Sequence, residues 1–493
     1  MKLTCKTIAC AVVGSFLIGT SAKAQYAQTS KIVSENREGR AEFGTSVSLS
    51  DNFALVGASR ESTAEGAAYV YAKNNQETWD FSQRLVADDP NAGAEFGGAV
   101  HLADDFLVVA AGRADVNGVV RAGALYVYNY QNNAFEFGTK LIASDYSGDA
   151  KLGMNPTSLD VEENTIVAGA PGENAWVGSV YVFSKVNGVW QETQKIMSPN
   201  PQMGDSFGIG VSISGDQMLI GSQGVNSSRG AAYLYVNNNG VWEYEETITA
   251  SNAAPDNYFG SSVTIEDSKA VVGAYGVNAE VGAAYVFEKN SQGSFEEVQI
   301  LNANPSSDRV QFGWATAINQ DYIAVTAPHI YGIEMPEVYF YKKDGSGTWV
   351  EDQIIVGDDT VEEDFLGWSV ALNGQEMIIG APREDHDVNG NNEMGDAGSA
   401  YIFKNPNILG VTDFNAENSF KIYPNPATTV FSLTSTKSVN TIKIYSVTGS
   451  LIKNIEVNNN TTIINIDHLL SGIYLVDISF EDGTQSVQKL VKQ

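Results

Sequence analysis

The expected mature part of this 493-residue chain contains no cysteine. Cys5 and Cys10 both lie in a leading segment built like a signal peptide. Lys2 and Lys6 supply positive charge, Ile8 to Ile18 are mostly apolar, and Ala22-Lys23-Ala24 offers small residues for cleavage. Residues 1–24 are therefore expected to be removed on export; the apolar run is too short for a membrane anchor. Without thiols the chain forms no disulfide, has no thiolate nucleophile and holds no Cys-ligated metal, so its core alone must hold the fold. No later run is apolar enough to span a bilayer. Positive charge is also scarce, with 29 Lys and Arg against 59 Asp and Glu and a net charge of −30, or −33 once Lys2, Lys6 and Lys23 are gone. Residues 418–493 are nearly neutral, with six Lys and five acids, so the deficit sits on the larger part. Such a field repels nucleic acid and anionic lipid, and it suits solubility and divalent cations.

Histidine is rarer still. His101, His329, His386 and His468 are scattered, with no paired metal-ligand spacing. No Ser-His-Asp grouping, G-x-S-x-G turn or phosphate-cradling loop is present. Carboxylates are too numerous to single out a glycosidase pair. The sequence thus points away from an enzyme.

What is abundant is repetition. Aromatic-Gly or Leu-Gly pairs open short alternating runs at Phe43-Gly44, Phe96-Gly97, Leu152-Gly153, Phe207-Gly208, Phe259-Gly260, Phe312-Gly313 and Leu366-Gly367, at steps of 53, 56, 55, 52, 53 and 54 residues. Each unit reads as four short strands: the opening run, a run ending in Gly-Ala, a run of alternating aromatics such as GAAYVF (282–287), and a run introduced by Trp or Phe. Four strands in ~50 residues is the content of a propeller blade; a β-solenoid would repeat at a shorter period. In the fourth strand an aromatic precedes an aliphatic by six residues, as in Trp79/Leu85, Phe135/Leu141, Trp190/Ile196, Trp242/Ile248, Phe295/Leu301 and Trp349/Ile355. The seventh such pair is Tyr26/Ile32, and in all seven the aliphatic stands 11 residues before the next Phe-Gly or Leu-Gly. The spacing predicts an all-β chain: a seven-bladed β-propeller over 25–404, closed by the N-terminal strand, which removes an open sheet edge. A linker at 405–417 and a small Ig-like β-sandwich at 418–493 are expected to follow, the latter from about seven short strands with turns at Thr448-Gly449, Ser471-Gly472 and Asp482-Gly483.

These repeats resemble the FG-GAP family, the blade unit of integrin α-subunit propellers and of many exported bacterial proteins. Gly-Ala-Pro stands at 169–171 and 380–382 and is weakened elsewhere. The third repeat, broken by Met154-Asn155-Pro156, and the sixth, with Pro336 before its third strand, are expected to be irregular. The family's calcium signature before the second strand is absent from every repeat, so that site does not carry over. The tail resembles the C-terminal sorting domain of type IX secretion, on Tyr423-Pro424-Asn425-Pro426-Ala427, Val447-Thr448-Gly449, Leu470-Ser471-Gly472-Ile473-Tyr474 and Lys489-Leu490-Val491-Lys492. That resemblance implies the type IX machinery as partner through 418–493, passage across the outer membrane, and release or surface attachment.

One loop offers a candidate calcium site. In Asp385-His386-Asp387-Val388-Asn389-Gly390-Asn391-Asn392-Glu393-Met394-Gly395-Asp396, oxygen-bearing side chains fall at Asp385, Asp387, Asn389, Glu393 and Asp396, with Asn391 between, in the order of an EF-hand-type loop. Surface loops have the same composition. Lys343-Asp344-Gly345-Ser346-Gly347-Thr348-Trp349 partly resembles a sialidase Asp-box, but it occurs once and reads better as a hairpin turn. In a four-stranded meander the long second-to-third loops and the acid-rich fourth-to-first connections (Asp88, Asp89, Glu95, Asp358, Asp359, Glu362, Glu363, Asp364) share one face. That face is where a protein or glycan ligand is expected. The expected function is an exported, non-catalytic binding or adhesion protein; the rival is a secreted polysaccharide hydrolase or lyase on the same scaffold.

Overall fold

The computed structural model describes residues 26–303, 309–319, 322–330, 335–405, 420–423, 425, 427–435, 438–446, 451–457, 461–467, 469, 472–480 and 485–492. The expected signal peptide and nearly all of the expected linker lie outside them. The chain divides into two compact units, Met1–Asn407 and Ile408–Gln493.

Among the described residues, the first unit holds seven four-stranded antiparallel sheets, a propeller-like all-β build. Six run in chain order over 43–85, 96–141, 159–196, 207–248, 262–301 and 316–355. The seventh combines 369–404 with the strand Ala27–Ile32, which pairs antiparallel with Ser399–Lys404. Period-2 patterning explains the strands. In Ala67–Lys73 the Tyr69 and Tyr71 rings go to one interior and Ala68 and Val70 to the other, and all four are buried. Buried on both faces, the second and third strands read as nearly continuous apolar runs. Third-strand tyrosines recur at 69, 126, 181, 233, 285, 339 and 401. Where the opening residue is Phe, its ring meets that tyrosine at 5.1–5.6 Å between centroids.

Glycine sets the contact between sheets. A Cβ on Gly57 would overlap the Gly97 carbonyl of the next sheet, and Gly169 stands likewise against Gly208, Gly221 against Gly260 and Gly273 against Gly313. Gly380 of the seventh sheet stands against Gly44 of the first. Ser46 donates to the Gly97 carbonyl at 2.7 Å, Ser262 to that of Gly313 at 3.1 Å, and Ser369 to that of Gly44 at 2.9 Å. At the outer strands a glutamine side chain clasps the backbone N–H and C=O of the next sheet's fourth-strand aromatic: Gln83 on Phe135, Gln194 on Trp242, Gln299 on Trp349. Gln353 clasps Tyr26 in the same way, at 2.8 and 2.9 Å.

The two irregular repeats are short in their first strands, and the third shows why. In the third, Pro156 opens a 3₁₀ turn, Pro156–Ser158, and the first strand shrinks to Leu159–Glu162. In the sixth, the first strand is only Thr316–Asn319. The second-to-third loops are not uniformly long. In four sheets the same left-handed turn appears, at Glu61–Ala64, Glu173–Trp176, Val225–Ser228 and Val277–Glu280. Such non-glycine conformations cost roughly 1–2 kcal/mol per residue. Each turn's last carbonyl accepts a hydrogen bond from the next sheet, as Ala64 does from Glu95 and Trp176 from Ser206, which offsets part of the strain.

The second unit has two sheets, one of Phe420–Tyr423, Val430–Ser435 and Thr461–Asn465, the other of Leu451–Glu456, Val439–Ser446, Gly472–Phe480 and Gln485–Lys492. They enclose one core that includes Phe431, Leu433, Ile442, Ile444, Val476 and Ile478. Of the tail motifs, Ala427 is buried and bridges Lys492; Pro424, Pro426, 447–449, Leu470 and Ser471 lie outside the described residues.

Candidate functional site

The residue after each Phe-Gly or Leu-Gly is Thr45, Gly98, Met154, Ile209, Ser261, Trp314 or Trp368, in chain order. The residue after each Gly-Ala-type pair includes Gln223 and Tyr275. The structure brings five of the first set, all but Thr45 and Gly98, together with Gln223 and Tyr275. Met154, Asn155, Pro156, Thr157 and Trp176 of the third repeat, Ile209 and Gln223 of the fourth, Ser261 and Tyr275 of the fifth, Trp314 of the sixth and Trp368 of the seventh line one open cavity of about 340 Å³. These positions flank the second-to-third loops and the fourth-to-first connections, so the cavity opens on the face the sequence singled out.

Its wall is a run of touching rings. Tyr258 stacks on Tyr275 at 4.9 Å, Tyr275 meets Trp314 at 5.4 Å and 51°, and Trp314 meets Trp368 at 4.9 Å and 46°. Phe365 stacks under Trp368. Arg383 sits over Phe365 at one end of the run, and Lys151 over Trp176, a separate ring of the lining, each 4.3 Å from the ring centroid. None of the lining residues is an Asp, Glu, His, Lys or Arg. Neutral polar groups complete the lining. Thr157 donates to the Ile209 carbonyl at 3.1 Å and Ser261 to that of Gly273 at 3.3 Å. The Gln223 amide has no side-chain hydrogen bond among the described residues.

The acids on this face brace the scaffold. Glu61, fully buried, accepts from Tyr69, Arg84 and Asn36; Glu173 accepts from Tyr181 and Lys195; Glu384, also fully buried, pairs with Lys31 at 3.0 Å and accepts from Ser399 at 2.6 Å. Arg84, Lys195 and Lys31 each stand one residue before the buried aliphatic of a fourth strand, so the N-terminal strand supplies the seventh sheet's cation at the repeat's own position. Asp89, Asp145 and Asp359 accept from Tyr126, Tyr181 and Tyr401 at 2.7–2.8 Å. Burial and the Glu61 carboxylate push the Tyr69 hydroxyl up to about 12, so it stays a donor at neutral pH. Asp364 is buried, accepts from the Val361 N–H and faces Glu384 and Asp385; burial raises its carboxyl to about 7.

In the 385–396 loop, Asp387 accepts from the backbone of Asn389 and Asn391 and from the Asn392 amide, and these bonds lower its pKa. Asp385 accepts from the Asp396 N–H at 2.7 Å, and Arg37 donates to the carbonyls of Asp385 and Asn392. The side chains of Asp387 and Asp385 thus hold their own turn. Among the described residues no three carboxylates, histidines or cysteines gather at a metal-binding distance. Asp344 likewise caps its hairpin, accepting from Ser346 and Thr348, as Asn74 and Asn290 do in theirs. His101 meets Asp160, His386 meets Glu384 and His329 is buried elsewhere, so these three share no site; His468 lies outside the described residues.

The family comparisons fit this geometry. The FG-GAP repeat model matches 26–71, 79–128, 190–235, 242–287 and 349–403, and the secretion-system C-terminal sorting domain model matches 421–493. This is an FG-GAP repeat protein with a type IX sorting domain. Each FG-GAP match begins at or within a residue of a fourth-strand aromatic and runs on through the third strand of the following sheet, and Tyr26 opens the first. The unmatched repeats are the third and sixth, the two whose first strands are shortest or broken. The sorting domain marks the FG-GAP chain for type IX secretion to the cell surface or the medium, and no helix among the described residues is long and apolar enough to cross a membrane. No curated protein matches it. One solved structure, the crystal structure of the Chaetomium thermophilum Sqt1, is similar at 15% identity over 73% of this chain and 84% of that one, with a TM-score of 0.44.

Proposed function

We propose that this FG-GAP protein is an exported, non-catalytic binding protein whose seven sheets form a closed seven-bladed propeller. In this reading, residues 25–404 are the propeller, 405–417 the linker and 418–493 the secretion domain. The seventh sheet's contacts with the first, and the Gln353 clasp on Tyr26, favour closure by the N-terminal strand. The observation that carries the binding reading is the convergence of five repeats on one aromatic cavity. A ligand pocket is concave, mostly apolar and dotted with a few polar groups, about 300–1,000 Å³ in volume, and this one qualifies. Rigid elements hold its wall, as a recognition site requires.

The lining argues against the rival hydrolase or lyase. Glycoside hydrolysis uses paired carboxylates beside the bond to be broken, and the cavity offers none. The test uses the exported protein on an array of glycans and extracellular-matrix proteins, wild type beside Trp368→Ala. Binding by the wild type that is lost in a folded variant supports the reading. Binding that survives the substitution, or turnover of a bound polysaccharide, overturns it.

A further inference from the structure

Resting on that binding reading, we infer that the cavity takes the ring of a neutral sugar, stacked on Trp314 and Trp368. The first argument is charge. The chain carries a net charge of −30, yet no ionisable acid or base lines the cavity apart from the Tyr275 phenol. An anionic ligand would find no cation in the lining and a cationic one no carboxylate. A cation would also approach Lys151, which sits over the lining ring of Trp176 and opposes it.

The second argument is shape. Most positions after the Phe-Gly or Leu-Gly pair carry small or aliphatic residues; only the sixth and seventh repeats place tryptophan there. Successive ring planes from Tyr275 to Trp314 to Trp368 differ by 51° and 46°, so the wall is faceted rather than flat. Trp314, Trp368 and Tyr275 are each left partly exposed, although burying them fully would be favourable. A partly exposed π-face is available to a partner.

The third argument is the match of chemistry. A π-face carries negative potential. A pyranose turns a patch of C–H groups, made slightly positive by neighbouring oxygens, toward such a face. Its hydroxyls project from the ring edge and need donors and acceptors. Asn155 and Gln223 supply amides, and the hydroxyls of Thr157 and Ser261, which already donate, still accept. A purely apolar ligand would bury those groups unpaired. The cavity suits the end of a glycan chain, with the rest of the chain emerging through the open side.

The test is calorimetric and tryptophan-fluorescence titration of the full exported protein with neutral oligosaccharides of the gluco, xylo, manno, galacto and N-acetylglucosamine series. Tetramethylammonium, oligogalacturonate and indole are run alongside. One or more neutral series should bind and perturb the emission. Trp368→Ala should weaken binding at least about tenfold while the protein still unfolds cooperatively, and Trp368→Phe should retain part of it. If no neutral series binds while indole or tetramethylammonium does, and that binding is lost in Trp368→Ala, the sugar assignment fails and the binding site stands. If no probe binds in a manner that depends on Trp368, the site itself fails with it.

Discussion

Replacing Lys31 by methionine isolates what the N-terminal strand contributes to the seventh sheet. The Lys31 side chain is 4% exposed, and its ammonium lies 2.6 Å from Asp359 and 3.0 Å from Glu384. The Asp359 side chain is 32% exposed, so that pair is worth ~0–1 kcal/mol. The Glu384 side chain is wholly buried, and stripping one partner from a buried pair costs ~3–5 kcal/mol because the remaining charge has nowhere to go. Methionine keeps most of the apolar stem, so packing changes little and the loss falls mainly on the charge. Urea unfolding of the exported protein, followed by tryptophan fluorescence, should show Lys31→Met destabilised by ~3–5 kcal/mol. Lys31→Met/Glu384→Gln should recover much of that, since an amide still accepts from Ser399 and leaves no buried charge. A loss under ~1 kcal/mol, or additive effects of the two substitutions, would show that residue 31 does not reach Glu384 and that the strand is not seated as described.

Three further outcomes follow from the same geometry. Gly380→Ala pushes a Cβ into the Gly44 backbone, so it should cost ~1–3 kcal/mol or more in chemical denaturation, and a neutral result would refute the contact between the seventh and first sheets. Asp364, with its folded pKa of about 7 above the ordinary 3.8, gives stability that is complete below pH ~4 and lost as pH rises toward 7; Asp364→Asn should abolish that loss, up to ~4 kcal/mol, and identical pH profiles for the two proteins would contradict it. Asp387→Ala removes the cap of the 385–396 turn and should make that loop the first site of limited proteolysis; calcium calorimetry on the same pair tests the loop as an ion site, with heat present in the wild type and lost in the variant as the supporting result.

The repeat was legible because a sheet buried on both faces must repeat its apolar pattern, and the spacings from Tyr26 to Ile32 and from Ile32 to Phe43 assign the N-terminal strand to the seventh repeat, where it pairs with Ser399–Lys404. The damage in the third repeat was legible from Pro156; in the sixth, Pro336 precedes a third strand of ordinary length, Glu337–Lys343, and the shortened strand is instead the first, Thr316–Asn319. The glutamine clasp was not read, although Gln83, Gln194, Gln299 and Gln353 each stand four residues after a fourth-strand aromatic, because a solvent-side polar residue looks like any other surface residue until its partner strand is known. The left-handed turns were missed because ESTA, ENAW, VNSS and VNAE share no glycine to announce a positive φ. The cavity was half legible: the loop face could be picked from topology, but Tyr275, Trp314 and Trp368 come from three repeats and meet only through the packing of successive sheets.

The most direct test of the account is a cross-link between the two ends of the proposed propeller. Ala27 pairs with Lys404, and with both native cysteines in the leading segment an engineered pair has no other thiol to find in the processed protein. The exported Ala27→Cys/Lys404→Cys variant should oxidise spontaneously to a single intramolecular disulfide, seen by peptide mass mapping, and should unfold at a higher urea concentration when oxidised than when reduced. Two thiols that stay free and are labelled at the same rate in native protein as in urea would contradict a ring closed by its own first strand.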